Sequence, residues 1–243
     1  MNLIVEQGNS ATKVAVFHQG KILYNSFYKD FKVSDLIFLF DQFPLNNGIF
    51  STVAETKEEL IACMLNRLKR FFVINEKILL PIEIDCLAPE TIGSDRIGAV
   101  VGATFLQPAT DLLIIDVGTA ITYEIVTASG VYTGGNISPG MTTRFRALNQ
   151  YTKLLPLVVE KEDIPLMGSC TETAILAGVV NGMVYEMDGF IDAFRSRYPG
   201  IYVFLTGGHS IYFEKRLKNT IFAVSNLVLI GLNRILEYNV ENQ

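Results

Sequence analysis

Two β-hairpins of similar pattern, 110 residues apart, limit the folds that this chain can adopt. Each has an acid near the end of an apolar strand, a glycine at the turn and a returning strand. Chance similarity of turn residues is the alternative, but the acid, both turn glycines and the strand periodicity stay in register. The repeat therefore predicts a duplicated α/β fold. The aligned pairs are Glu6 and Asp116, Gly8 and Gly118, Thr12 and Thr122, Val16 and Val126, and Gly20 and Gly130.

Hydrophobic periodicity and turn residues predict the secondary structure around these hairpins. The run Asp111–Val117 is apolar enough for a strand buried on both faces. A capping box at Thr56–Glu59 predicts a helix to about Arg70. The glycines of Gly134–Gly140 predict a tight loop. Further strands are expected at Asn2–Glu6, Lys13–His18, Lys21–Phe27, Gly48–Val53, Ile78–Cys86, Ala120–Thr127, Val131–Thr133 and Ile201–Leu205, and further helices at Ser34–Gln42, Ile97–Leu106, Gly140–Gln150, Thr171–Arg197 and Ser225–Tyr238.

The 243 residues suit one large domain or two domains of just over a hundred residues each, and the repeat favours two. We expect mixed sheets, with one half at residues 1–108 and the other at 109–243. The last helix should pack back on the first half. Both acid-turn motifs would then face one cleft between the halves, where open α/β sheets tend to bind ligands.

Charge and cysteine content exclude several classes of protein. Lys and Arg total 20 against 25 Asp and Glu, a net charge of −5, so neither general nucleic-acid binding nor attraction to anionic membranes is expected. Three cysteines without a CxxC pair support neither a disulfide framework nor a zinc site. We expect Cys63, Cys86 and Cys170 to be buried thiols. The N-terminus, without a basic segment, does not predict a signal peptide, and the cytoplasm is the expected location.

The two turns, Glu6–Lys13 and Asp116–Thr122, contain the groups that bind phosphate. Gly-rich hairpin ends leave backbone N–H groups uncovered, and small hydroxyl or amide side chains add donors. The acid before each turn could hold a cation. Each acid could instead cap nearby amides. This capping interpretation is less favoured for Asp116, which lies within an apolar run, because a buried carboxylate needs a partner.

Two further motifs admit a functional and a structural interpretation. In Gly93-Ser94-Asp95-Arg96, Asp95 could accept a proton from a hydroxyl while Arg96 orients an anion, or Asp95 could cap the following helix. The glycines of Thr206–His209 could place backbone against a flat ligand such as a purine, or could form a strand-to-helix turn. Neither motif decides between its interpretations by itself.

In this order the motifs resemble those of the type III pantothenate kinases, in the acetate and sugar kinase/actin superfamily. The similarity covers nearly the whole chain. The matching segments are Glu6–Ser10 with Lys13, Gly93–Arg96, Asp116–Thr122, Gly134–Gly140, Gly168–Thr171 and Thr206–Gly208. Two positions depart from the family pattern: Glu6 replaces its first Asp, and no aromatic residue stands in Cys86–Pro89, before Gly93.

The resemblance implies actin-like, ribonuclease H-like halves and ATP-dependent phosphorylation of pantothenate to 4′-phosphopantothenate, the first step toward coenzyme A. It implies Mg²⁺, a monovalent cation (K⁺ or NH₄⁺) and a homodimer. Asp95 would be the general base and Asp116 the ligand of the monovalent cation. Residues implied to contact pantothenate are Gly93, Ser94, Asp95, Arg96 and Thr171, and those implied to contact ATP are Glu6, Gln7, Gly8, Asn9, Ser10, Ala11, Thr12, Lys13 and Thr119.

Two alternatives stay open at this point. The chain could be a catalytically weak sensor of nucleotides or metabolites, since some members of the family were first described as accessory factors for transcription. It could also be a kinase, or a phosphatase, that acts on another small substrate with the same two hairpins. The Gly93–Arg96 motif favours pantothenate over these.

Overall fold

A computed structural model of the chain describes residues 1–53 and 57–242. The chain divides into two compact units. The first contains Met1–Ala109, Gly130–Thr133 and Asn226–Gln243, and the second contains Thr110–Ser129 and Gly134–Ser225. Strands and helices occur in both, as expected for an α/β chain.

The secondary structure consists of strands and helices that alternate along the chain. The strands are β1 (Asn2–Gln7), β2 (Thr12–His18), β3 (Lys21–Tyr28), β4 (Asn47–Thr52), β5 (Arg70–Val73), β6 (Glu83–Ile84), β7 (Leu112–Val117), β8 (Ala120–Val126), β9 (Val131–Pro139), β10 (Tyr202–Thr206) and β11 (Phe222–Ala223). The helices are α1 (Val33–Gln42), α2 (Glu58–Arg67), α3 (Ser94–Leu106), α4 (Met141–Tyr151), α5 (Thr171–Arg197), α6 (Ser210–Glu214) and α7 (Leu227–Glu241).

The two sheets share one strand order. In the first unit it is β3-β2-β1-β4-β5, with β1 antiparallel to β2 and parallel to β4. In the second it is β9-β8-β7-β10-β11, with β7 antiparallel to β8 and parallel to β10. The short strand β6 pairs with the start of β9. The common order confirms the duplicated α/β fold that the repeat predicts.

Each sheet buries alternate residues in a core of its own. In the first unit, the side chains of Leu3 and Val5 from β1 join those of α1 and α2. In the second, those of Leu113 and Ile115 from β7 join those of α4 and α5. Because successive side chains of a strand point to opposite faces, the same strands leave Glu6 and Asp116 outside these clusters.

The helix α5 is long and apolar enough to cross a membrane by length and composition alone. Half of its most apolar window is buried inside the protein. Its Val180, Met183, Met187 and Ile191 are fully buried or nearly so in the core of the second unit. The apolar composition of α5 therefore follows from its place in a core and is weak evidence for a span.

Two predicted elements of the first unit have the wrong extent. The helix predicted to reach Arg70 ends at Arg67, and Arg70–Val73 pairs with β4 as an edge strand, because Phe71, Phe72 and Val73 favour extended backbone. The strand predicted at Ile78–Cys86 is reduced to Glu83–Ile84. Pro81 lies in that segment and has no N–H to pair. The capping residue Thr56 lies outside the described residues.

The loop predicted at Gly134–Gly140 is also wrong, because β9 continues through it to Pro139. A Cβ on Gly135 would lie 1.8 Å from the carbonyl oxygen of Tyr123, so glycine is needed there for close contact with β8. The expected burial of Cys170 is wrong too. That thiol is exposed at the start of α5, whereas Cys63 and Cys86 are partly buried.

The helices α3 and α7 pack so closely that only glycine fits at their contact. A Cβ on Gly102 would lie 2.3 Å from the carbonyl oxygen of Leu227. One on Gly231 would lie 1.8 Å from the carbonyl oxygen of Gly98. The helix that begins with the Gly93–Arg96 motif is thus held in place by the last helix of the chain.

We expect Gly102→Ala to destabilise the protein, because the added methyl group must push α3 away from the backbone of α7. Overpacking of this kind costs about 1–3 kcal/mol. Gly182→Ala in α5 is the matched control, since nothing lies within 4 Å of its Cβ position. It should leave stability unchanged or raise it by up to about 1 kcal/mol through helix propensity. Urea unfolding of both variants is the measurement, and equal stabilities would contradict the packing account.

Candidate functional site

The first predicted turn ends a hairpin whose acid is buried. Glu6, at 6% exposure, lies near the end of β1, and its Oε2 is 3.0 Å from Nζ of Lys13 on β2. The N–H of Gly8 donates to the carbonyl oxygen of Ala11 at 3.0 Å and closes the turn. Asn9 and Ser10 are exposed. The hairpin end thus combines a buried ion pair with an exposed turn that a ligand can reach.

Burial raises the pKa of Glu6 above its ordinary value. Desolvation of the carboxylate is the largest cause, the charge and hydrogen bond of Lys13 oppose it, and the negative charge of Asp95 adds to it. Lys13 donates a hydrogen bond to Glu6 Oε1 at 3.3 Å, and Glu6 Oε2 makes only the ion pair with Lys13 among the residues that the structure describes. A carboxylate oxygen in this state suits a bound cation or an ordered water.

The Gly93–Arg96 motif lies beside the same end of β1. Gly93 precedes the first residue of α3, and the Ser94 hydroxyl accepts a hydrogen bond from Ser51 at 2.8 Å and donates to the Thr52 carbonyl at 3.2 Å. Ser51 is the β4 partner of Glu6 in the parallel pairing of β1 and β4. These bonds attach the start of α3 to the strand ends next to Glu6.

Asp95 is the second residue of α3 and not its cap. Its Oδ1 accepts the N–H of Arg96 at 2.8 Å, while the capping position is occupied by Gly93. Its charge is close enough to raise the pKa of Glu6. The first unit therefore brings Asp95 close to the Glu6–Lys13 hairpin. The Asp95 carboxylate is a group that can accept a proton next to an exposed turn.

The second predicted acid, Asp116, stands in a row of oxygen-bearing side chains. It is paired with Thr122 of β8 on one side and with Thr206 of β10 on the other. Side chains of directly paired residues lie on the same face of a sheet. A Cβ on Gly207 would lie 2.4 Å from Asp116 Oδ1, so the carboxylate lies against the end of β10.

The hydroxyl of Thr206 lacks a partner within the described chain. The residue is 1% exposed, and its Oγ1 makes no hydrogen bond there. A buried polar group in this state costs about 1–3 kcal/mol. A carboxylate with a neighbouring unsatisfied hydroxyl suits a hard cation, which prefers oxygen ligands. Across residues 1–53 and 57–242, no group of three or more His, Cys, Asp and Glu side chains forms a metal cluster.

Thr119 lies in the turn after Asp116, and its backbone ties that turn to α4. Its carbonyl oxygen accepts the N–H of Gly140 at 3.0 Å and the hydroxyl of Thr143 at 2.7 Å. A Cβ on Gly140 would lie 2.1 Å from the carbonyl oxygen of Gly118, which explains the glycine before α4. The turn of the second hairpin is thereby fixed at both ends.

Thr171, the first residue of α5, borders a groove of about 730 Å³ in the second unit. The groove is mostly apolar. Its lining consists of Arg144, Ala147, Leu148, Leu155, Thr171, Ala174, Ile175, Gly178 and Val179.

The structure groups the predicted site residues within each unit. The first unit holds Glu6–Lys13 beside Gly93–Arg96, and the second holds Asp116 and Thr119 in one turn, with Thr171 at the groove. Their roles stay predictions. Sequence reasoning missed Thr206 as a neighbour of Asp116, and it missed Arg144 entirely. A signal for Arg144 existed in Glu186, an acid on a mostly apolar helix, which needs a cationic partner.

The family comparison rests on sequence. A sequence model described as type III pantothenate kinase matches residues 2–193. The type III pantothenate kinase of Phocaeicola vulgatus is 45% identical over 241 residues, which cover 98% of this chain and 99% of that protein.

Solved structures show the same fold at low sequence identity. A conserved Campylobacter jejuni protein, assigned provisionally to the Baf family of transcriptional activators, has a TM-score of 0.62 at 20% identity and covers 98% of this chain and 99% of its own. MreB5 of Spiroplasma citri bound to ADP has a TM-score of 0.54 at 12% identity, and the match covers 100% of this chain and 98% of that chain. The fold is thus the actin-like one, and the chain belongs to the type III pantothenate kinase family.

Proposed function

We propose that the chain transfers the γ-phosphoryl group of ATP to the primary hydroxyl of pantothenate, which gives 4′-phosphopantothenate for coenzyme A synthesis. Membership of the family supports the substrates. One structural observation carries the chemistry: the Asp95 carboxylate lies near a hairpin end with a buried acid, a lysine and an exposed turn. That is an arrangement of proton acceptor and phosphate-binding groups within one unit.

Asp95 is the proposed general base. Its carboxylate accepts the proton of the pantothenate hydroxyl as the oxygen attacks the γ-phosphorus of ATP, and ADP leaves. The N–H of Arg96 already donates to Asp95 Oδ1, which fixes the orientation of the carboxylate. The remaining motif residues, Gly93, Ser94 and Arg96, form the pantothenate contacts around it, and Thr171 adds another.

The turn from Glu6 to Lys13 is the proposed binding site for the phosphates of ATP, together with Thr119. Exposed Asn9 and Ser10 supply donors, and Lys13 supplies positive charge. Mg²⁺, when bound, neutralises charge on the phosphates. The buried Glu6 Oε2, which makes only the ion pair with Lys13 in the described chain, would accept a hydrogen bond from a water molecule of the cation's shell.

Asp116 is the proposed ligand of a monovalent cation, K⁺ or NH₄⁺. The unsatisfied Thr206 hydroxyl beside it supports this assignment, because a cation at Asp116 would give that oxygen a partner. Thr122, on the other side of Asp116 in the sheet, is placed to contribute a third oxygen.

A homodimer in the cytoplasm is the proposed state of the protein. Support for a dimer comes from large apolar side chains of the second unit that are exposed in one copy, among them Tyr151, Leu154, Leu166 and Met167. A net charge of −5 speaks against nucleic acid and anionic membranes as partners.

A coupled assay of ATP consumption, with and without pantothenate and in K⁺ or Na⁺, tests the proposed function. We expect pantothenate-dependent consumption in K⁺. Binding of nucleotide or pantothenate without turnover would favour the sensor, and turnover with another small alcohol but not with pantothenate would favour a different kinase.

We expect Asp95→Asn to lower kcat by about 10²- to 10⁴-fold, the usual contribution of a general base. Asn can still accept the N–H of Arg96, so the fold and the KM for ATP should change little. Asp35→Asn is the control, because Asp35 occupies the first turn of α1, where it accepts the backbone N–H of Lys32. Near-normal kcat in a folded Asp95→Asn variant would reduce Asp95 to a structural role.

The Glu6→Gln variant should be less active than the parent. Its stability relative to the parent should increase as the pH rises. The pKa of Glu6 is raised in the folded protein, so its ionisation opposes folding at pH values above its ordinary pKa. The variant lacks this term, and its stability relative to the parent should increase between pH 4 and pH 8 in urea unfolding. We expect kcat to fall about 10- to 100-fold.

Glu6→Asp is the matched control for that variant, because it keeps the carboxylate and restores the acid typical of the family. It should retain most of the activity. A Glu6→Gln protein whose stability relative to the parent falls between pH 4 and pH 8 would show instead that Glu6 is a stabilising ion-pair partner of Lys13.

Thr206→Val should remove the stabilisation of the protein by K⁺. In K⁺ at ten times its dissociation constant, the parent should be about 1.4 kcal/mol more stable than in Na⁺ at equal ionic strength. In Na⁺ the variant should be as stable as the parent or more so, because a methyl group replaces an unsatisfied hydroxyl. Thr206→Ser should keep the K⁺ effect, and Asp116→Asn should abolish it with most of the activity. Equal K⁺ effects in the parent and Thr206→Val would contradict the assignment of Thr206.

A further inference from the structure

The lysine that is proposed to bind phosphate already has an anionic partner in the first unit. Nζ of Lys13 donates to Glu6 Oε1 at 3.3 Å and lies 3.0 Å from Oε2, so it faces both oxygens of the carboxylate. The two residues are directly paired between β1 and β2, and their side chains therefore share one face of the sheet. The hairpin itself thus brings the two charges together.

This ion pair is mostly removed from water. The side chain of Glu6 is 8% exposed and that of Lys13 is 23% exposed. Burial raises the pKa of Glu6, and the charge and hydrogen bond of Lys13 oppose that rise. The lysine is thus the group that favours the charged form of the carboxylate. When Lys13 leaves the pair, it gives up a contact that is stronger than an ion pair at the surface.

A second acid, Asp95, lies near enough to act on the same pair. Its charge is one of the causes that raise the pKa of Glu6. The residue that pairs with Glu6 on the other side of β1 is Ser51 of β4, which carries no charge. Two carboxylates therefore surround the hairpin lysine, and both repel an incoming phosphate while Lys13 attracts it.

The phosphate donors lie at the turn, away from the buried carboxylate. Asn9 and Ser10 are exposed there, and one further residue pair of the ladder separates the turn from the ion pair. An ammonium group has three donors, but a bridging position would hold a carboxylate and a phosphate close together. Like charges repel strongly where water is scarce. Lys13 can therefore pair fully with only one of these anions at a time.

We infer that the ion pair of Glu6 and Lys13 is an autoinhibitory contact, in which the carboxylate competes with the phosphates of ATP for the lysine. This inference rests on the proposed function, which puts those phosphates at the turn of this hairpin. When phosphate binds, the ammonium group of Lys13 moves from the carboxylate to the phosphate. Part of the binding free energy is then used to break the ion pair. Lys13 therefore adds less to nucleotide affinity in this chain than it would beside an uncharged residue.

A double-mutant cycle of Glu6→Gln and Lys13→Met tests this inference through nucleotide binding alone. The dissociation constant of ATP is measured by titration calorimetry in EDTA at pH 8, so that no divalent metal contributes. We expect Lys13→Met to weaken binding by less than about threefold in the parent but by about 10- to 30-fold in the Glu6→Gln background. Glu6→Gln alone should strengthen binding about tenfold. Where all four proteins bind ATP too weakly in EDTA, the same cycle is measured with MgATP.

Asp30→Asn is the matched control for the loss of an acid. Asp30 belongs to the same unit and pairs with Lys57 at 2.9 Å, but its side chain is 63% exposed. This control should change ATP affinity by less than about twofold, because an exposed ion pair contributes little. Glu6→Asp keeps the charge but shortens the side chain by one methylene, and it replaces Glu6→Gln if that variant does not fold. In the Glu6→Asp background the effect of Lys13→Met should be intermediate.

The outcomes separate this inference from the proposed function. Without pantothenate-dependent turnover of ATP in the parent protein, the proposed function fails. If the parent is active and Lys13→Met weakens ATP binding equally in both backgrounds, Glu6 and Lys13 act independently on the nucleotide. If Glu6→Gln binds ATP no more tightly than Asp30→Asn does, the carboxylate does not hold the lysine back. Either of these last two results overturns the inference and leaves the proposed function standing.

Discussion

A carboxylate at the end of a buried strand must be compensated, and each sheet of this protein has one at the end of its central strand. Glu6 is compensated incompletely by Lys13, since burial still raises its pKa and one oxygen lacks a hydrogen bond within the described residues. Asp116 lies in a row with Thr122 and Thr206, where a buried hydroxyl is also unsatisfied. Both places are less favourable for folding than an apolar or fully bonded alternative. Groups of this kind are expected where a protein binds charged ligands.

The packing of α3 on α7 holds Asp95 beside Glu6 and Lys13. Asp95 lies at the start of α3, and the serine bonds to β4 fix that start next to Glu6. The glycine contacts with α7 fix the rest of the helix. The position of the Asp95 carboxylate near Glu6 therefore depends on the backbone contacts that α3 makes with α7 at Gly98 and Gly102.

Features that depend on local pattern could be predicted from the sequence. The hairpins, their acids and the helix after Gly93 follow from strand alternation, turn glycines and apolar periodicity, and the repeat connects the two halves. Features that depend on distant pairing could not. Thr206 lies beside Asp116 only because β10 pairs in parallel with β7, and Arg144 meets Glu186 across 42 residues of sequence.

The structural role of glycine was the hardest feature to predict from the sequence. In Gly134–Gly140 it indicated a loop, but the structure uses Gly135 in a strand because the backbone of β8 is too close for a side chain. Turn glycines and contact glycines look alike in sequence, and they differ only in what lies opposite them. The candidate site was therefore predictable as a set of motifs, and its supporting contacts were not.

The order of the chain has a consequence for how the protein is made. During synthesis the first 109 residues leave the ribosome well before α7, which begins at Leu227. Until then the glycine face of α3 has no partner helix, and Asp95 stands on an unsupported element. Domains generally fold from the N-terminus as they emerge. Here the first unit is completed last, so a nascent or truncated chain that ends before Leu227 holds every proposed catalytic side chain but not their arrangement.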